Sequence, residues 1–244
     1  MSPDAKDIRV LFLGPKNLRN GTAADFPHQS AAAAEMGAEF VVYDGDSDGE
    51  LIEALKDADV AMAAGHGVSP DLFVHMGNNG RCKGLVSFGH GYDGMDLGSA
   101  VENGVVLANT ASFGTEEVSN QTMMHFLVCS RKFVLHDKLV KNGTWTREHL
   151  APMGHIAGQT FGIIGLGDIG RTVARKAQAF GMKVIGYDPF VSSWDAKEYG
   201  VEMVGSPKEI AKRSDYVSPH TYLTPATHHM VDAEFFELMK PTAY

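Results

Sequence analysis

The sequence predicts an α/β protein of two domains, each built on a parallel sheet covered by helices. Three observations predict it. Short unbroken apolar runs alternate with helical stretches through the first hundred residues; a stretch free of Gly and Pro follows over 115–142; the strand–helix alternation then restarts at 161. Strands buried on both faces read as continuous apolar runs, which is the mark of a parallel sheet.

In the first half, 9–14 reads as a strand ending at Gly-Pro, and the Ala-rich 30–36 as a helix ending at Gly37. Strands follow at 39–43, 60–64, 83–88 and 105–108, with a helix at 49–56. Thr115, followed by Glu116 and Glu117, suits a helix start. The spacing predicts one long helix over 115–142, apolar almost all round and therefore buried in the protein or at a subunit interface. Gly143, Pro152, Gly154 and Gly158 mark a crossing segment. Beyond it, 161–164 is a strand and 168–180 a helix with Ile169, Val173, Ala177 and Phe180 on one face. Strands at 183–187 and 216–218 follow, with helices opening at Ser206 and spanning 232–239. The domains are expected over 1–112 and 113–244.

Composition removes several function classes. The formal net charge is −9 over 244 residues. An acidic surface repels phosphate backbones and anionic lipid, so no nucleic-acid or membrane partner is expected. Two cysteines, Cys82 and Cys129, make no disulfide framework, and no metal-ligand spacing is present. The N-terminal MSPDAKDIRVLFLG carries no secretory pattern and no apolar run is long enough to span a bilayer, so a cytoplasmic protein is expected.

The strand at 161–164 runs directly into Gly165-Leu166-Gly167-Asp168-Ile169-Gly170. This is G-x-G-x-x-G between a strand and a helix, the context a dinucleotide fingerprint requires. Gly165 permits the tight turn, Gly167 lets a pyrophosphate approach the backbone, and Gly170 lets helix and strand pack closely. The helix N-terminus, at Asp168 and Ile169, offers free N–H groups to phosphate. Asp168 itself is expected to cap the helix, where a carboxylate suits the dipole. Asp188, at the end of the next strand, can accept both ribose hydroxyls and would repel a 2′-phosphate. The expected cofactor is therefore NAD.

Further blocks resemble the D-isomer-specific 2-hydroxyacid dehydrogenase family. They are Gly89-His90-Gly91-Tyr92-Asp93-Gly94-Met95-Asp96 with Gly104 to Thr110; Gly158 to Asp188 and Pro189; and Ser214 to His220, Leu223-Thr224-Pro225-Ala226-Thr227-His228-His229 and Met239-Lys240-Pro241. The resemblance implies a partial flavodoxin-like substrate domain followed by a partial Rossmann NAD-binding domain. It implies that Gly89, His90 and Gly91 hold a substrate carboxylate through backbone N–H groups, with Asp93 and Asp96 as structural caps. It places His220, Thr221, Tyr222 and Thr227 along the cofactor, His220 as a wall residue. His228 and His229, adjacent in sequence, are expected to point apart, and no metal site is expected. A homodimer acting on a small 2-hydroxy or 2-oxo acid is implied.

The chain departs from the family's pattern. Ser87 stands where an Arg is common, which weakens the case for a phosphorylated or multiply charged acid. Tyr222 stands where Pro is usual. The family's catalytic Arg, Glu and Pro-His are not among these residues, so no catalytic residue is assigned in this chain; they are expected after Tyr244. On that reading the chain is a truncated piece with a bare sheet edge, inactive and poorly stable alone. An NAD-sensing protein of the corepressor type is the alternative, on Glu116, Glu117 and His125. An S-adenosylmethionine-dependent methyltransferase would share the glycine turn and strand-end acid, but explains neither the Leu223-Thr224-Pro225 block nor the 89–91 loop.

Overall fold

In the computed structural model, residues 8–14, 21–45, 47–64, 68–92, 94–146, 148 and 153–244 are described. The chain divides into two compact units, Met1–Ala111 and Ser112–Tyr244.

The first unit holds strands β1 (Arg9–Leu13), β2 (Glu39–Val42), β3 (Val60–Ala63), β4 (Gly84–Ser87) and β5 (Val106–Asn109). Every pairing is parallel, in the order β2-β1-β3-β4-β5. That is the flavodoxin-like doubly wound order, reached because each crossover carries a helix or a turn back to the same end of the sheet. The helices are α1 (Pro27–Glu35), α2 (Asp48–Lys56), α3 (Pro70–Phe73) and α4 (Leu97–Glu102). Local signals start them: Pro27 and Pro70 preset the first turns, and Ser47 and Glu50 form a reciprocal capping box for α2. The core holds Leu11, Leu13, Leu55, Phe73 and Leu85, all nearly inaccessible. Phe12 packs instead against Phe26 and Phe40.

The second unit opens with α5 (Thr115–Ser130) and α6 (Phe133–Lys141). The expected single helix over 115–142 is two helices, broken where Lys132 takes a left-handed backbone, φ 48°. No Gly or Pro marks the break. Burial within this unit is partial. α5 buries Met123 and Phe126 against Phe161 and Tyr216, whereas α6 has no buried residue and leaves Phe133, Val134 and Val140 more than half exposed.

Strands β6 (Thr160–Ile164), β7 (Lys183–Tyr187), β8 (Glu202–Met203) and β9 (Tyr216–Pro219) then form a parallel sheet in the order β8-β7-β6-β9. This is the 3-2-1-4 order of a Rossmann sheet. Helix α7 (Asp168–Ala179) returns from β6 to β7 and buries Gly170, Val173, Ala174 and Ala177, while Phe180, expected on the same face, is 41% exposed. Helices α8 (Ser193–Glu198), α9 (Pro207–Arg213) and α10 (Ala233–Leu238) complete the unit. Ser192, Ser206 and Asp232 each cap the following helix through a side-chain oxygen. The outer edge of β9 is not bare: the Tyr244 amide donates to the Asp215 carbonyl at 3.0 Å, and the Tyr244 carbonyl accepts from Val217 at 2.9 Å.

Candidate functional site

The glycine turn joins β6 to α7. Gly165 has φ +94°, and a Cβ there would meet the His220 carbonyl oxygen at 2.7 Å. A Cβ on Gly170 would stand 2.0 Å from the Gly165 carbonyl oxygen, so helix and strand approach too closely for any side chain. Gly167 differs: a Cβ there meets nothing within 4 Å. Its front is open, the condition for a phosphate to reach the first amides of α7. The absent side chain at Gly167 thus leaves open space, whereas those at Gly165 and Gly170 clear space for the fold.

Asp188 lies beside this turn. One carboxylate oxygen accepts the Leu166 amide at 2.8 Å and the other the Phe190 amide at 2.8 Å. The carboxylate is thereby fixed against the turn, and each oxygen keeps a lone pair for a further donor.

Asp168 is not the side-chain cap that the sequence suggests. The N-cap is Gly167, and Asp168 is the first helical residue. Its carboxylate accepts the Ser112 hydroxyl at 2.5 Å and pairs with the Arg171 guanidinium at 2.9 Å. Ile169 is partly buried against the core of the unit.

Beyond β9, the His220 amide donates to the Ile164 carbonyl at 2.7 Å. Its imidazole Nε2 is buried without a partner among the described residues, and burial pushes the ring pKa down to about 4. The ring is neutral at ordinary pH. Thr221 and Tyr222 are exposed. The Thr227 hydroxyl donates to the Tyr222 carbonyl at 2.6 Å and accepts the Thr224 amide at 2.8 Å, so it closes its own loop. His228 and His229 do not point apart: their rings lie 3.9 Å centre to centre, because His229 takes φ 56° and turns back on its neighbour.

In the first unit, the 89–91 loop follows β4. Its carbonyls are held from below: the Ser87 hydroxyl donates to Gly91 at 2.9 Å, the Asn109 amide to His90 at 2.8 Å, and the Thr110 hydroxyl to Gly89 at 3.2 Å. No described residue accepts from the Gly89 or Gly91 N–H groups. Carbonyls fixed inward and amides left over make a candidate anion-binding concavity. Asp96 accepts the Ser99 amide at 2.9 Å as the cap of α4, while Asp93 lies outside the described residues.

Sequence reasoning missed Ser112, Arg171, Asn109 and the structural task of Ser87. Arg171 was detectable as the i+3 partner of Asp168 on one helix. Ser112, at φ 66°, and Asn109 leave no sequence signal.

Residues 123–244, half of the chain, match the NAD-binding domain of the D-isomer-specific 2-hydroxyacid dehydrogenases. The chain belongs to this family. It is 35% identical over 195 residues to D-3-phosphoglycerate dehydrogenase of Methanocaldococcus jannaschii, covering 80% of this chain and 36% of that protein. It is 32% identical over 201 residues to glyoxylate reductase of Pyrococcus furiosus, covering 80% of this chain and 59% of that one. The chain therefore spans between about a third and three-fifths of the length of these two relatives. Among solved structures it is similar to D-lactate dehydrogenase from Aquifex aeolicus complexed with NAD and lactic acid, at TM-score 0.80 and 28% identity, covering 95% of this chain and 66% of that one. It is also similar to an acyclic imino acid reductase in complex with NADPH and D-Arg, at TM-score 0.79 and 25% identity, covering 97% and 72%. The two sheet orders agree with this membership.

Proposed function

We propose that this dehydrogenase-family chain serves an NAD-dependent oxidoreductase that interconverts a small D-2-hydroxy acid and its 2-oxo acid. One observation carries the reading: the open front of Gly167 stands at the N-terminus of α7, in a turn to which the Asp188 carboxylate is bonded. Gly165, Gly167, Ile169 and Gly170 form the turn that receives the diphosphate, and Asp188 takes the ribose hydroxyls. His220, Thr221 and Tyr222 stand along the cofactor, with Thr227 shaping their loop. Hydride exchange is the chemistry a bound nicotinamide supplies. The residues of this chain bind and orient.

The Gly89, His90 and Gly91 segment is assigned to the substrate carboxylate. Its support is the pair of Gly89 and Gly91 amides with no acceptor among the described residues. Ser87, in place of an arginine, supplies no positive charge, so the preferred acid carries a single carboxylate and no phosphate.

A cytoplasmic homodimer is part of the proposal. No helix among the described residues is long and apolar enough to cross a membrane. The exposed Phe133, Val134 and Val140 of α6 are candidates for the subunit contact. The corepressor-type reading gains nothing from Glu116, which ties α5 to α7 through Lys176 at 2.8 Å and so has a packing task of its own.

The test is a panel of 2-oxo acids with NADH on the full-length protein, followed at the nicotinamide absorbance. Turnover of unphosphorylated 2-oxo acids is expected. A catalytically competent family member that reduces none of them would overturn the proposal.

A further inference from the structure

We infer that Arg171 and Ser112 set the affinity of the nucleotide site by neutralising and fixing the Asp168 carboxylate, Arg171 being a positioning residue that acts through it. The inference rests on the nucleotide reading of the glycine turn given above.

Asp168 suits the dipole of its own helix but competes with a phosphate for the same helix end. It directly follows Gly167 and is the first residue of the 12-residue α7, whose free amides and positive dipole end favour phosphate. Its own carboxylate opposes that preference. Neighbouring like charges repel even when solvated.

Ser112 and Arg171 answer this charge. Ser112, ahead of α5, donates to one oxygen at 2.5 Å. It does so from a left-handed backbone, φ 66°, a conformation that is unfavourable for a non-glycine residue. From within α7, Arg171 pairs with the other oxygen at 2.9 Å. Tyr199, just after α8, holds that guanidinium in place. Its hydroxyl accepts from Arg171 at 3.3 Å, and its ring lies 5.3 Å from the guanidinium carbon. Arg171 also donates to the Gly167 carbonyl at 3.3 Å, so the cation that neutralises Asp168 is bonded to the phosphate-facing turn. Ser112, Asp168, Arg171 and Tyr199 line one groove of about 1060 Å³.

A purely structural role predicts that losing Arg171 harms the turn whatever stands at 168. A charge role predicts that the harm disappears once Asp168 is neutral. The probes are NAD and adenosine, which lacks the diphosphate, titrated by calorimetry into the full chain and into Arg171→Ala, Asp168→Asn and the double variant, with melting temperatures measured alongside. We expect Arg171→Ala to weaken NAD about five- to tenfold at low salt, less at roughly 0.5 M salt, with adenosine affinity unchanged. Asp168→Asn, which leaves the Arg171 cation unpaired beside the turn, should bind NAD more tightly than the natural chain, and the double variant, which has lost both charges, should return to about the natural affinity. If Arg171→Ala proves unstable, the expected tightening by Asp168→Asn still decides the matter. Equal NAD losses in Arg171→Ala and the double variant, or adenosine falling with NAD, or no tightening by Asp168→Asn, would overturn the inference. Failure of the natural chain to bind NAD would overturn the nucleotide reading itself, and this inference with it.

Discussion

The Asp188 carboxylate accepts the Leu166 amide at 2.8 Å, locking the tip of β7 to the glycine turn. The same carboxylate holds the Phe190 amide, so one side chain shapes both the turn and the segment after β7. Asp188→Ala leaves both amides without their acceptor. We expect a stability loss of about 1–3 kcal/mol in urea titrations. Asp188→Asn keeps one acceptor oxygen and should lose less. Equal losses would mean that the carboxylate geometry is incidental.

The three glycines separate fold from ligand. Gly170→Ala puts a methyl 2.0 Å from a backbone oxygen and should cost about 3 kcal/mol or more, read as a fall in melting temperature. Gly167→Ala meets open space and should change stability by less than about 0.5 kcal/mol while weakening NAD about tenfold or more. Calorimetry on the well-folded Gly167→Ala chain checks the second half.

His220 makes stability depend on pH. Its folded pKa, about 4, lies below the unfolded value near 6.5. Between these values the unfolded chain takes up a proton that the folded chain refuses. Stability is therefore full above about pH 6.5, declines as the pH falls towards 4, and loses nothing more to this group below that. Asp59 and Glu209, both held below the ordinary carboxylate range, by the Arg81 guanidinium and by the Gly205 amide respectively, lose their contributions only nearer pH 4. Urea midpoints at pH 7.5 and 5 should differ in the natural chain and converge in His220→Gln.

The 89–91 loop should loosen when its inward bonds are cut. Ser87→Ala leaves the Gly91 carbonyl without its donor from a buried serine. About 1 kcal/mol of stability should be lost. Faster amide hydrogen exchange should be confined to the loop and the end of β4.

Helix α6 is the proposed contact with a second copy. Val134→Glu should shift a sedimenting dimer to monomer and leave the melting of the monomer almost unchanged, because Val134 is 67% exposed. A monomeric natural chain would remove that assignment.

Much of this was legible in the sequence wherever local chemistry decides the outcome. Unbroken apolar runs marked the principal strands. Ser206-Pro207 and Asp232 announced their helices, and G-x-G-x-x-G fixed the turn because only glycine tolerates the conformation at Gly165 and the close approach at Gly170. What was not legible depends on contacts distant in sequence. The break at Lys132, the pairing of Ser112 with Asp168 across 56 residues, and the return of His229 onto His228 arise from packing and backbone turns that no spacing encodes. The two-residue β8 and the short α3, α4 and α8 escaped because their runs are too brief to show a period.

The central claim is that the glycine turn and Asp188 hold NAD. The most direct measurement is a calorimetric titration of the chain with NAD and, separately, NADP. Saturable binding of NAD is expected, with NADP weaker by about tenfold or more because its 2′-phosphate meets the Asp188 carboxylate. Equal affinity for the two, or no binding of either, would contradict it.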